Sequence, residues 1–180
     1  ALFCQKTLNK IIELQKKVGD AVTIKEDFSK WSIGAALTAY ANGSAQKYYK
    51  DVLKVNLVIE PTGVKYLHVA AEHFDIGVYF ESNGHGTVVF KPERLAGLEE
   101  AIAAVEKAQG TTEEQKKDIQ TLSQWLRLLY YFLIEANQGV GDAISNFLQI
   151  ETALAALQMN AADWKAIYTD LENAHSKIVV

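Results

Sequence analysis

The chain has 180 residues, 49% of them hydrophobic and 22% charged, with 18 Lys and Arg against 22 Asp and Glu for a net charge of −4 at pH 7. This is the composition of a globular protein, and the lack of any basic cluster argues against nucleic acid or an acidic membrane surface as the main partner. One cysteine, Cys4, excludes a disulfide framework and a cysteine zinc site and points to a reducing, cytoplasmic setting.

The first six residues lack the layout of a signal peptide. They also begin without methionine, as expected of a segment of something longer. Leu8, Ile11, Ile12, Leu14 and Val18 then recur at helical intervals. Residues 32–40 are small and apolar, the pattern of a buried strand. Asn42-Gly43-Ser44 leads into a predicted helix over 45–52, with Ser44 as the expected N-cap. Residues 53–60 alternate through Val55, Leu57 and Ile59 as a strand, and Pro61-Thr62-Gly63 breaks it. A helix through Tyr66, Leu67 and Ala70 precedes a strand at Asp75–Phe80, where Ile76, Val78 and Phe80 alternate. Thr87-Val88-Val89-Phe90 is a second β-rich run.

From residue 92 the texture is nearly all helical. A helix is predicted over 95–109, and Thr111 or Thr112 is placed to cap the next. That helix is expected to run to about Asn137 and to end at Gly139 and Gly141. Its most apolar stretch, 125–134, is interrupted by Arg127 and too short for a bilayer. A helix over 143–157 and a short one opening at Asn160 follow, and residues 176–180 read as a strand start or a linker. Together these elements predict one α/β domain over 1–180. Its architecture is three-layer α/β/α with a small mixed sheet, plus a long helical segment at about 92–172.

Glu81-Ser82-Asn83-Gly84-His85-Gly86 lies between the two strands, so a carboxylate, a carboxamide and an imidazole sit at a loop tip, where rigid strands commonly carry binding groups. A carboxylate beside an amide suits neighbouring hydroxyls, as on a sugar. The plain alternative, an Asn-Gly hairpin turn, carries about equal weight on these residues alone. Gly139-Val140-Gly141 follows a helix and lacks a third glycine, so it reads as an interhelical turn. His68 and His73 are five apart, the wrong spacing for zinc ligands on one helix face. Trp125, Tyr130 and Tyr131 read as a packed helix face.

Three blocks of sequence resemble the α-D-phosphohexomutase superfamily, and within it the phosphoacetylglucosamine mutases. They are Thr38-Ala39-Tyr40-Ala41-Asn42-Gly43-Ser44; Pro61-Thr62-Gly63-Val64-Lys65 running on through Phe74 to Thr87; and Gly141-Asp142-Ala143-Ile144-Ser145 with Ile150-Glu151 and Tyr168-Thr169-Asp170-Leu171. The resemblance covers about residues 32–172, and the loop at 81–86 is its most specific part. It implies the third, sugar-binding domain of a four-domain cytoplasmic enzyme that interconverts N-acetylglucosamine 6-phosphate and 1-phosphate, on the route to UDP-N-acetylglucosamine. It implies substrate contacts from Glu81, Ser82, Asn83, Gly84 and His85, with Thr62 and Gly63. His85 would orient the loop or touch a phosphate. The family's phosphoserine, its Mg²⁺ loop and its phosphate-binding loop lie in other domains. No T-A-S-H-N, D-x-D-x-D-R or R-P-S-G-T run occurs here, so neither a catalytic residue nor a metal ligand is expected in this segment. The expected partners are N-acetylglucosamine phosphates and the other domains of the same enzyme. Ser82 stands where the family commonly has Ala, and Tyr66, Val69 and Ala70 replace more basic residues. The alternative is a non-catalytic, stand-alone carbohydrate-binding or scaffold domain of the same ancestry.

Overall fold

The structure is a computed structural model, described over residues 1–172; the reading of 176–180 lies outside the described residues. In chain order the elements are α1 (Leu2–Val18), β1 (Ile33–Thr38), α2 (Gly43–Lys47), β2 (Asn56–Glu60), α3 (Val64–Ala71), β3 (Ile76–Phe80), β4 (Gly86–Phe90), α4 (Pro92–Lys107), α5 (Glu113–Ile134), α6 (Ala143–Ala156) and α7 (Ala161–Lys165). The strands form one sheet in the order β2-β1-β3-β4. β1 runs parallel to both β2 and β3, and β4 closes antiparallel on β3. This is the expected small mixed sheet.

Strand alternation sorts the side chains between two layers of helix. Ile76 and Val78 join Ile33 and Val88 in the larger core with α1, α4 and α5, whereas Tyr79, Ala36 and Val89 meet Leu67, Ala70 and Ala71 of α3. The three-layer expectation holds. The helical second half is not a separate layer, however. α5 buries Ile119, Leu122, Leu126, Leu129, Phe132 and Leu133 on one stripe, and α1 meets it with Phe3, Leu8, Ile11, Leu14 and Val18. Each such side chain taken from water is worth about 1.5–3 kcal/mol. The Phe3 and Phe132 rings, one from α1 and one from α5, sit 4.3 Å apart between centroids.

α3 and the turn that follows it lie close on the sheet because a glycine faces each. Gly34 and Gly77 are register partners on β1 and β3. A Cβ on Gly77 would lie 2.1 Å from Ala71 O, and one on Gly34 would lie 2.0 Å from the Phe74 ring. At the amino edge of the sheet, Asp75 is buried and ties β1 to β3. It accepts from Ser32 N at 2.7 Å, Ser32 Oγ at 2.9 Å, Arg94 Nε at 2.9 Å and Lys91 Nζ at 3.2 Å. Burial alone would raise its pKa, but the Ser32 and Arg94 hydrogen bonds with Lys91 outweigh burial and hold it at about 2.

Four sequence readings are corrected. Ser44 does not cap α2; Asn42 does, accepting from Ser44 N at 2.9 Å. The helix over 45–52 gives way at Tyr48 to a wider π-helical turn, Tyr48–Leu53, which ends on Lys54 in the left-handed region at φ 55. The following strand therefore starts at Asn56 rather than Leu53, because Val55 N is still committed to Tyr49 O. Finally, α5 stops at Ile134, before Gly139 and Gly141, with Glu135 N and Ala136 N closing back on Tyr131 O and Leu133 O. Thr112 caps that helix by accepting from Gln115 N, and Asn160 forms a capping box with Asp163 on α7.

Candidate sugar-binding edge

Because β1, β2 and β3 are parallel, their carboxyl ends share one edge, the edge where open α/β sheets place their ligands. Three connections rise from it: residues 39–42 after β1, Pro61-Thr62-Gly63 after β2, and Glu81–His85 after β3. The three sequence blocks meet here. Asn42 from the first clasps Leu171 from the third: Asn42 Nδ2 donates to Leu171 O at 3.0 Å, and Leu171 N donates back to Asn42 Oδ1 at 3.1 Å. Beside this clasp, the Tyr48 and Tyr168 rings lie 5.6 Å apart. Gly141 of the third block presses on Gly86 of the second so closely that a Cβ on Gly141 would be 2.5 Å from Gly86 O. That contact, rather than ending α5, is what this glycine provides.

The outer side of β4 is covered rather than open, which protects a strand edge that would otherwise pair with another chain. Phe90 N donates to Gln138 Oε1 at 2.8 Å, Thr87 Oγ1 donates to Asn137 O at 2.9 Å, and Asn146 Nδ2 donates to Gly86 O at 2.9 Å. β4 thus holds the loop at 81–85 from below while the 137–142 connection braces β4.

The loop itself is a turn with Ser82 and Asn83 at its centre, closed by Gly84 N donating to Glu81 O at 2.9 Å. Gly84 follows at φ +90, a conformation that favours glycine, and Glu81 N donates to His85 O at 2.7 Å. Asn83-Gly84 is therefore not the central pair of a two-residue hairpin turn. Glu81 is half-buried, and residues 82–85 are exposed. Glu81 Oε1 accepts from Gly63 N at 3.0 Å and Glu81 Oε2 accepts from Asn83 Nδ2 at 3.2 Å. Asn83 Oδ1 accepts from His85 N at 3.0 Å. Each carboxylate oxygen keeps a second lone pair, and the Asn83 amide keeps one N–H and one lone pair. The loop can thus accept from two hydroxyls and exchange a bond with a third group.

Gly63 is the N-cap of α3 at φ 126, a backbone angle available to glycine. It turns the Gly63 N–H toward Glu81. Thr62 is exposed beside it, and Lys65 Nζ lies 4.8 Å from the centroid of the Tyr66 ring in the first turn of α3. The structure thus brings Thr62, Gly63 and Glu81–His85 to one edge. His68 and His73 are elsewhere on α3 with structural partners: His68 bridges Tyr79 OH at 3.0 Å and Glu72 at 3.1 Å, and His73 Nδ1 sits 2.8 Å from Val69 O. Burial, then the Glu72 charge, pushes the Tyr79 phenol up. Trp125 and Tyr130 are partly buried against the main core, as a packed face requires, while Tyr131 is half exposed. Asn42, Gln138 and Asn146 were missed as supports of the edge, since their partners lie far along the chain.

Comparison with known proteins identifies the family. Residues 6–159 match the family described as Phosphoacetylglucosamine mutase AMG1, domain III. The chain belongs to the phosphoacetylglucosamine mutase family, in the α-D-phosphohexomutase superfamily. It is 44% identical over 149 residues to the phosphoacetylglucosamine mutase of Candida albicans, covering 83% of this chain and 25% of that protein. A crystal structure of N-acetylglucosamine-phosphate mutase in its substrate complex superposes with a TM-score of 0.63 at 37% identity, over 92% of this chain and 28% of that one. The Aspergillus fumigatus N-acetylphosphoglucosamine mutase in complex with GlcNAc-6P and magnesium gives 0.59 at 36% identity, over 94% and 28%. The chain spans about a quarter of the length of the relatives it matches. None of its helices, among the described residues, is long and apolar enough to cross a membrane.

Proposed function

We propose that this chain is the sugar-gripping domain of an enzyme that interconverts N-acetylglucosamine 6-phosphate and N-acetylglucosamine 1-phosphate. The observation that carries this reading is the convergence of Glu81 and Asn83 on one exposed loop at the carboxyl edge, with Glu81 fixed by Gly63 N. Moving a phosphoryl group between carbons 1 and 6 requires the sugar to be held in two opposite orientations. Hydroxyls 3 and 4 lie near the axis that exchanges those carbons, so one fixed pair of groups serves both. The two Glu81 oxygens accept from the vicinal hydroxyls through charge-assisted bonds. The spare Asn83 N–H and carbonyl lone pair bind beside them, on the side where the 2-acetamido group needs room. Phosphoryl transfer depends mainly on positioning and charge stabilisation, and positioning is the part this domain supplies.

The phosphoserine and the phosphate-binding loop belong, in this reading, to other domains of the full-length polypeptide. Magnesium is present in the Aspergillus structure. Among the described residues no three His, Cys, Asp or Glu side chains come together as a metal site. The donor set here does not fit that ion, so we assign the metal to another domain and route no step through it.

Replacing Asn83 with Ala in the full-length enzyme is the test. Loss of its bonds to Glu81 and to the sugar should lower kcat/KM for N-acetylglucosamine 6-phosphate by about tenfold. An unchanged kcat/KM would remove Asn83 from the sugar grip.

A further inference from the structure

The first half of α6 is amphipathic in the wrong sense for a helix that serves this chain alone. There the inward side is polar, with Asn146 and Gln149 8% and 5% exposed, whereas Ala153 and Ala156 farther along pack against the main core. Asn146 Nδ2 donates to Gly86 O at 2.9 Å and Gln149 Nε2 donates to Phe132 O at 3.0 Å. Its outward side is apolar. Ile144, Phe147 and Leu148 follow helical spacing and are 73%, 59% and 57% exposed, and Val140, just before the helix, is 65% exposed. The one charged residue in the whole helix is Glu151. A surface helix normally turns its apolar stripe to the core and its polar face to water.

We propose that Val140, Ile144, Phe147 and Leu148 form a docking surface for an apolar face presented by the remainder of the full-length mutase polypeptide. This rests on the reading of the chain as one domain of a mutase. The occupant is selected by length. The chain corresponds to about a quarter of its relatives' length, so most of a relative's surface is available to cover the patch. A covalently linked partner also docks on a smaller area than a separate chain, because tethering raises its effective concentration. With no charged side chain among the four, the partner face must be apolar as well. The patch begins on the same 137–142 connection that braces β4, so docking there stiffens the support of the sugar-binding loop.

Hydroxyl-radical footprinting of the 180-residue chain and of the full-length enzyme tests this. Phe147 and Leu148 should label readily in the 180-residue chain and about fivefold less in the full-length enzyme, since the core of an interface excludes water. Phe147→Glu should leave the thermal midpoint of the 180-residue chain within about 2 °C, because the side chain is exposed. In the full-length enzyme the same change should restore labelling at Ile144 and Leu148. Equal labelling in both proteins overturns the proposal. So does protection within the 180-residue chain that grows with its concentration, which would make a second copy the occupant. Failure of the sugar-grip reading shows instead in the turnover of Asn83→Ala and leaves the labelling pattern untouched.

Discussion

Glu81 Oε1 accepts the backbone N–H of Gly63 at 3.0 Å, across 18 positions of sequence. The bond joins the loop after β2 to the loop after β3, so the carboxylate that we propose grips the sugar is aimed by a neighbouring backbone. One consequence is that the grip depends on a residue with no side chain.

Gly63→Ala should therefore impair both stability and activity. At φ 126 a Cβ introduces strain of about 1–3 kcal/mol, and relief of that strain rotates the N–H away from Glu81. The expected outcome in the full-length enzyme is a loss of kcat/KM of at least tenfold alongside a stability loss of that size. Denaturant unfolding and steady-state kinetics on one preparation check it. Full activity in Gly63→Ala would show that Glu81 needs no such anchor.

Asp75 makes the fold sensitive to acid. Its pKa is depressed from 3.8 to about 2, so the folded state holds the ionised form more tightly than the unfolded state does. The stabilisation is fully present above about pH 4 and is lost as the pH falls through about 2. At about 1.4 kcal/mol for each unit, it amounts to about 2 kcal/mol. Asp75→Asn should cost about 2–4 kcal/mol at pH 7, since Lys91 loses its charged partner and Arg94 is left with Glu26 alone. The variant should also lack this part of the acid-induced loss. Urea unfolding of both proteins from pH 7 to pH 2 measures the difference.

The paired glycines under α3 are predicted to respond unequally. Alanine at Gly77 meets the backbone carbonyl of Ala71, whereas alanine at Gly34 meets the ring of Phe74. A backbone cannot yield without moving α3, whereas the half-buried Phe74 side chain can swing away about χ1, as it must because its Cγ would itself lie 2.2 Å from the new Cβ. Gly77→Ala should thus cost about 3 kcal/mol or more, and Gly34→Ala less. Equal midpoints in guanidinium for the two variants would argue against close packing of α3 as the cause.

Much of this was readable from residue order. Alternation at Ile76, Val78 and Phe80 located β3, and the polar run after it located the loop. Thr112 and Asn160 announced their helices because capping is local chemistry. What stayed hidden depends on distant partners. Asn42 caps α2 while holding Leu171, 129 positions away, and nothing near Asn42 signals that second duty. Gly141 reads as a helix stop until Gly86 is seen against it. The outward apolar face of α6 scores as ordinary helical periodicity, since spacing shows that a stripe exists but not which way it points. The roles of Glu81 and Asn83 came from the family resemblance, because the local pattern alone also suits a plain turn.

The 180-residue chain by itself should not turn over N-acetylglucosamine 6-phosphate, because the proposed phosphoserine and phosphate-binding loops lie in other domains. Assay of the purified chain with and without Mg²⁺ is the check, and sustained turnover would contradict the division of labour proposed here.

The most direct measurement compares kcat/KM for N-acetylglucosamine 6-phosphate in full-length enzyme carrying Glu81→Ala or Ser82→Ala, with folding verified by circular dichroism. Losing Glu81 should cost about 2–4 kcal/mol of transition-state stabilisation, since the sugar then sits wrongly for in-line transfer. Ser82 is exposed at the turn and its hydroxyl should matter by about 1 kcal/mol or less. A large loss for Glu81→Ala with a small one for Ser82→Ala is the predicted result. Equal losses, or a larger loss for Ser82→Ala, would mean that the sugar is held by the other side of the loop.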